Sequence, residues 1–234
     1  MGDHAPDHAR PGPRGAQHLS ETVDDVAAAL EAGRKLFAAP CRFFHAAQRL
    51  DQLPPSDRPE VAFAGRSNVG KSSLVNALTG QRALARTSNR PGRTQQLNFF
   101  DLGGRLTLVD MPGYGYAQAA KAVKRDWQGL MFEFLRGRPS LRRVMLLLDA
   151  RIETKPSDVA VMELLDRAAV TYQLMLTKAD DVKPDTLGRK QAAAAALARA
   201  HPAAHPTVLT TSSASGAGIE DARAALAELA APFA

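Results

Sequence analysis

A chain of 234 residues with an apolar fraction of 45% can bury an ordinary globular core, and its single cysteine, Cys41, excludes an internal disulfide and points to packing rather than reactivity. No apolar run approaches the roughly 18 residues of a membrane-spanning helix, and the polar start MGDHAPDHARPGPRG lacks the hydrophobic stretch of a secretory signal, so the expectation is a soluble cytoplasmic protein. The net charge of +6 is uneven: residues 81–143 hold twelve Arg and Lys against four Asp and Glu, a surplus that points to a polyanionic partner beside that stretch.

Residues 1–18, rich in Pro, Gly, His and charge, are expected to be a disordered tail. From about Ser20 to Leu50 the apolar points Val23, Val26, Leu30, Phe37, Phe43 and Phe44 follow a helical period, with Ser20 or Asp24 able to cap the start and Pro40 breaking the helix in two. LPPSDRPE (53–60) is a linker, so 19–58 is expected to be a helical extension and 59–234 the main domain.

EVAFA (60–64) reads as a buried strand and SSLVNAL as a helix that runs to about Thr79 and stops at Gly80. Between them lies GRSNVGKS, Gly65 to Ser72, in the strand–loop–helix context of a phosphate-binding loop. Gly65 and Gly70 permit tight turning, the amides of 67–72 are expected to form an anion nest, Lys71 to reach the β- and γ-phosphates, and the Ser72 hydroxyl to ligate Mg²⁺. The basic stretch 81–95 has no period and reads as a mobile loop; its Thr94 is a candidate second Mg²⁺ ligand.

QLNFFDL (96–102) and RLTLVD (105–110) form a hairpin through Gly103-Gly104. It ends in Asp110-Met111-Pro112-Gly113, where Asp110 can hold Mg²⁺ through water and the Gly113 amide can sense a γ-phosphate. Residues 118–136 read as a helix with Val123, Trp127, Leu130, Met131 and Phe134 on one face. Strands follow at 142–150, 171–177 and 207–212, and helices at 159–168, 183–200 and 219–230. Such alternation implies an α/β fold: a six-stranded, mostly parallel sheet with one antiparallel edge strand and helices on both faces. Ligand loops then lie at the carboxyl ends of the strands. In the loop Thr177-Lys178-Ala179-Asp180, the Asp180 carboxylate can accept from the ring N–H and exocyclic amino group of guanine, a pair that adenine lacks. Lys178 can cover the base and tie loops together, and Thr211-Ser212-Ser213 can offer amides to the guanine oxygen.

GRSNVGKSSLVNAL, PGRTQQLNFF, DMPGYGYA, TKAD and TSSASG together resemble the EngB (YihA/YsxC) family of ribosome-biogenesis GTPases, in the TrmE–Era-like group, over roughly residues 35–232. The resemblance implies a Ras-like G domain of the P-loop NTPase fold, binding of GTP and GDP, Mg²⁺, slow hydrolysis and a part in assembling the large ribosomal subunit. By position it implies nucleotide contacts from Gly65, Arg66, Ser67, Asn68, Val69, Gly70, Lys71 and Ser72, and from Gly92, Arg93, Thr94, Gln95 and Gln96 in a first switch (81–96). Asp110, Met111, Pro112 and Gly113, in a second switch (110–120), and Thr177, Lys178, Ala179, Asp180, Thr211, Ser212 and Ser213 complete the set. Lys71, Thr94 and Gly113 are the candidates for catalysis, and Asn68 is a candidate K⁺ ligand as in related TrmE-like GTPases. Thr177 stands where Asn is more usual.

Many GTPases orient the attacking water with a Gln after Asp-x-x-Gly; here the residue is Tyr114, whose phenol serves that purpose poorly, so slow turnover is expected. Arg82, Arg86, Arg90, Arg93, Lys121, Lys124 and Arg125 are the candidate rRNA phosphate contacts. Trp127 lies just past the second switch and should report nucleotide state. A monomer without stable membrane association is expected. A GTP-dependent cell-division or membrane-surface scaffold is the alternative, although neither 24–50 nor 118–136 is a sustained basic amphipathic helix. A small-molecule kinase would leave Asp180 without a purpose.

Overall fold

The computed structural model describes residues 14–85, 96–115, 129 and 131–231, and of 14–22 the backbone alone. A long helix, α1 (Arg14–Phe37), leads into strand β1 (Cys41–Ala47) and a single 3-10 turn at Leu50–Gln52. The main alternation follows as β2 (Glu60–Gly65), α2 (Lys71–Thr79), β3 (Leu97–Leu102), β4 (Leu106–Asp110), helical residues 131–137, β5 (Leu141–Asp149), α3 (Pro156–Arg167), β6 (Tyr172–Thr177), α4 (Pro184–Ala200), β7 (Leu209–Thr210) and α5 (Ile219–Glu228).

Seven strands form one sheet in the order β1-β3-β4-β2-β5-β6-β7. Only β3 runs against the others, pairing antiparallel with both β1 and β4. The β3–β4 hairpin closes through Gly103 and Gly104, both with φ near +60° (59° and 69°), which the expected Gly-Gly turn requires.

Two sequence expectations fail here. Residues 41–47 are a strand rather than the second half of a broken helix, so the sheet has seven strands instead of six. The reversed strand is consequently second from the edge, covered by β1. The physical cause is a β-bulge: Phe43 pairs with Phe100 and His45 with Phe99, leaving Phe44 as an extra residue. The bulge accommodates two successive phenylalanines, whose run in the sequence hides the two-residue alternation by which a strand is recognised. Phe43 and Phe44, 53% and 47% exposed, still meet Phe100 and Phe99 at ring distances of 5.8 and 6.3 Å. Helix α1 begins at Arg14, inside the stretch expected to be disordered. It follows Pro13, and no further proline interrupts the Ala-rich segment until Pro40.

Alternate residues of the central strands feed two cores. Val61 and Phe63 of β2 pack with Leu36 and Phe37 of α1, Leu74 and Leu78 of α2, and Ile219 and Leu226 of α5. Ala62 and Ala64 face Met131, Phe134, Met162 and Leu165 on the opposite side. Gly33 lets α1 lie directly on α5, because a Cβ there would come within 2.6 Å of the Ala224 nitrogen. Cys41 is buried, and burial reinforced by the Asp101 charge pushes its thiol up to about 12, so it is an inert packing group.

One buried ion pair joins the linker to the sheet. Arg138 grips Glu60 with two hydrogen bonds, Nε to Oε2 at 2.8 Å and Nη2 to Oε1 at 2.6 Å, and donates to the carbonyls of Pro54 and Pro55 at 2.8 and 3.3 Å. Its guanidinium also lies over the Phe99 ring. Removing one partner of a pair this buried strands the other charge, so Glu60→Gln should cost about 3–5 kcal/mol. Urea denaturation checks this, and a loss below about 1 kcal/mol would mean that the pair behaves as a surface contact.

Candidate functional site

The strand β2 ends at Gly65, where a Cβ would meet Val69 Cγ1 at 2.8 Å and the Leu147 backbone oxygen at 3.2 Å. Only glycine lets the chain turn there. Asn68 (φ +66°) and Gly70 (φ +104°) adopt left-handed conformations, and α2 starts at once with Lys71. The amides of Ser67 and Val69 are used inside the protein, donating to Tyr114 O at 2.9 Å and Arg66 O at 3.1 Å. The expected nest of 67–72 therefore narrows to Asn68, Gly70 and the orphan N–H groups of the first helical turn, Lys71 and Ser72.

Lys71 Nζ forms an ion pair with Asp110 at the end of β4, with both side chains about one-tenth exposed. The loop after β4 then crosses the phosphate loop. A Cβ on Gly113 would lie 2.9 Å from Ser67 Oγ, and the Tyr114 amide donates to Gly65 O at 3.2 Å. Tyr114 turns away from the phosphate loop into the core. Its hydroxyl donates to Asp158 Oδ1 at 2.9 Å, and burial together with the Asp158 charge drives its pKa far upward, keeping it protonated. Asp158 is held in turn by the Lys155 amide at 2.8 Å.

Two side chains from the end of β6 hold the phosphate loop from outside. Thr177, 4% exposed, donates from Oγ1 to Val69 O at 2.7 Å, so the Thr that stands where Asn is more usual is a buried fastener of the phosphate loop. Lys178 (φ +58°) donates from Nζ to Asn68 O at 2.6 Å and to Asp149 Oδ2 at 2.9 Å. The Ala179 amide donates to Thr211 O at 3.2 Å, which joins the loops after β6 and β7. Asp180 is exposed and has no partner among the described residues. Thr211 and Ser212 are buried structural residues: Thr211 Oγ1 donates to Leu176 O, and Ser212 Oγ accepts from the Ala214 and Ser215 amides. With the Ser212 amide committed to Ala217 O, the Ser213 amide remains for a ligand. A groove of about 700 Å³ opens beside Ser73, Asn76, Gln81, Arg82 and Ser213.

The structure thus brings together Gly65–Ser72, Asp110–Gly113, Thr177–Asp180 and Thr211–Ser213 at the carboxyl ends of β2, β4, β6 and β7. Val69 and Met111 are buried and can offer only backbone. Gln96 caps the start of β3, donating to Asn98 Oδ1 at 2.9 Å. Gly92, Arg93, Thr94 and Gln95, with Arg86, Arg90, Lys121, Lys124, Arg125 and Trp127, lie outside the described residues. Among the described residues no three His, Cys, Asp or Glu side chains cluster as a metal cage. The Ser72 hydroxyl has no partner there, a donor set that suits a Mg²⁺ held mainly by phosphate and water. Sequence reasoning missed Asp149, Arg151 and Asp158. Asp149 was findable, as the residue ending the apolar run VMLLLD on a strand whose neighbours all end in motifs.

A family model for the 50S ribosome-binding GTPase matches residues 60–178. A probable GTP-binding protein EngB of Granulibacter bethesdensis is 69% identical over 217 residues, spanning 93% of this chain and 97% of that protein. The protein of that name from Gluconobacter oxydans is 65% identical over 206 residues, 88% of this chain and 91% of its own length. A crystal structure of a probable GTP-binding protein engB superposes with a TM-score of 0.59 at 23% identity, covering 73% of this chain and 98% of that one. Era in complex with MgGDPNP and nucleotides of 16S ribosomal RNA gives 0.57 at 16% identity, over 74% of this chain and 57% of that one. At these identities the two structures establish the shared fold. Among the described residues, no helix is long and apolar enough to cross a membrane.

Asp149 titrates in a way that can be measured. Burial alone would raise its pKa, but the hydrogen bonds from Arg151 and Lys178 outweigh it and hold the carboxyl at about 2 instead of 3.8. A depressed folded-state value contributes stability that is complete above about pH 4 and disappears as the pH falls through about 2. Urea midpoints of the wild type and Asp149→Asn should therefore converge across that window; a constant difference would exclude the linkage.

Proposed function

This chain belongs to the EngB family of GTP-binding proteins, and from that premise we propose that it is a slow GTPase whose nucleotide state gates contact with ribosomal RNA during assembly of the large ribosomal subunit. The observation that carries the slow-switch reading is Tyr114. Its hydroxyl is 2.9 Å from the buried Asp158 carboxylate, so the position after Gly113 offers nothing to orient a water. Catalysis then rests on charge stabilisation alone. Lys71 would neutralise the β- and γ-phosphates, the amides of Gly70, Lys71 and Ser72 would cradle them, and Gly113 would sense the γ-phosphate from its seat against Ser67. Ser72 and Thr94, with Asp110 through water, would hold Mg²⁺, which supplies charge neutralisation at the phosphate oxygens. Asp180, exposed and without a partner among the described residues, would read guanine.

The RNA part of the reading is supported by charge. The surplus of basic residues in 81–143 begins where α2 ends and spans both switch segments, so the ordering of those segments by a γ-phosphate would present or withdraw a phosphate-binding surface. Co-sedimentation with separated ribosomal subunits tests it. Binding to the large subunit should strengthen with a non-hydrolysable GTP analogue over GDP and weaken with salt; absence of binding in both states would remove the ribosomal assignment.

Hydrolysis by the isolated protein should be at or below about 5 × 10⁻⁴ per second, the intrinsic rate of a GTPase that has the glutamine but no supplied arginine. Asn68 is exposed and its side chain is free of partners among the described residues, and we assign it as a K⁺ ligand. Rates should accordingly be higher in K⁺ than in Na⁺, and equal rates with and without ribosomal subunits would reject that ligand.

A further inference from the structure

The charged side chains at the end of β5 form a polar network that ties the phosphate loop to the loop carrying Asp180. We propose that Asp149 and Arg151 are positioning residues for guanine recognition, locking the loop that carries Asp180 to the phosphate loop and so setting how long and how selectively the nucleotide is held. The inference rests on the reading of Asp180 as the base-recognition residue.

Asp149 is 10% exposed and gathers four donors: Lys178 Nζ at 2.9 Å, and the backbone amide, Nε and Nη2 of Arg151, each at 3.0 Å. From there the network divides. The same Lys178 ammonium donates to Asn68 O in the phosphate loop at 2.6 Å, and Arg151 Nη1 reaches Asp181 Oδ2 at 3.2 Å. One carboxylate thus fixes both residues flanking the Ala179-Asp180 pair: Lys178 directly, Asp181 through Arg151. Lys178 is a non-glycine residue with φ +58°, a backbone state that persists only where surrounding contacts enforce it. The loop after β5 is itself pinned to α4, since Lys190 Nζ donates to Ile152 O at 3.0 Å and pairs with Glu153. A carboxylate that must accept two hydrogen bonds from one edge of a base needs its loop held within about 0.5 Å, and these contacts supply that constraint.

Arg151 is 44% exposed, so truncating it takes nothing from either core. The test measures release of fluorescent GDP and the affinities for GDP and for inosine diphosphate, which lacks the exocyclic amino group. Arg151→Ala should speed GDP release about tenfold and lower the preference for GDP over inosine diphosphate several-fold, the range of coupling within one charge network. Arg151→Lys should recover part of both, because a single ammonium cannot bridge two carboxylates in the same way. In an Asp180→Ala background, Arg151→Ala should leave the preference where Asp180→Ala put it. A merely structural role would weaken both nucleotides equally, and that result, or wild-type release by Arg151→Ala, would overturn the inference. Equal affinity of the wild type for the two nucleotides would overturn the Asp180 reading itself, a distinct outcome.

Discussion

The phosphate loop keeps its shape because its outward-facing carbonyls are occupied. Val69 O meets the Thr177 hydroxyl and Asn68 O accepts from the Lys178 ammonium, both from the end of β6. On the other side, the loop exchanges backbone hydrogen bonds with Tyr114, reached from β4. With its carbonyls turned outward to these fasteners and its strained residues held in left-handed conformations, the loop leaves the amides of Gly70, Lys71 and Ser72 for an anion. Parallel strand order makes this possible. β4, β2, β5 and β6 are neighbours and end at the same edge, so residues more than a hundred positions apart in the chain come within hydrogen-bond distance.

The same convergence explains how an event at the phosphates would travel. Gly113 is seated on Ser67, and the next residue, Tyr114, is bonded to Asp158 in the first turn of α3. A shift of the loop after β4 therefore cannot occur without disturbing the junction between that loop and α3. At the far end, Asp149 couples the phosphate loop to the loop that carries Asp180 through Lys178 and Arg151. The candidate site is a ring of loops fastened to one another by a few buried or half-buried polar contacts. In such a ring the fasteners matter as much as the groups that would touch the ligand.

The N-terminal segment contributes differently. β1 hydrogen-bonds the outer side of β3, so the hairpin that carries Asp110 is not an exposed sheet edge, and α1 closes one core through Gly33 against α5. The Arg138–Glu60 pair fastens the intervening linker by way of Pro54 and Pro55. The segment is thus continuous with the main sheet, where the apolar spacing of 20–50 suggested a helical extension.

Most of the candidate site was legible in the sequence because its parts are local. A phosphate loop, an Asp-x-x-Gly turn and a Thr-Lys-x-Asp turn each demand particular residues within a few positions, at the end of an apolar strand, and those residues stand in the chain as required. Strand and helix alternation likewise follows from local hydrophobic period. The sequence by itself determined the α/β class, the chain positions of the nucleotide motifs and the absence of a glutamine after Gly113. Only the tertiary structure decided that residues 41–47 join the sheet, since a β-bulge at Phe44 erases the alternation that marks a strand. Only it decided that Thr177 serves the phosphate loop, that Tyr114 is spent on Asp158, and that Asp149 and Arg151 join Lys178 and Asp181 in one network. These are contacts between distant segments, and their partners are chosen by strand order and register, which no local pattern encodes.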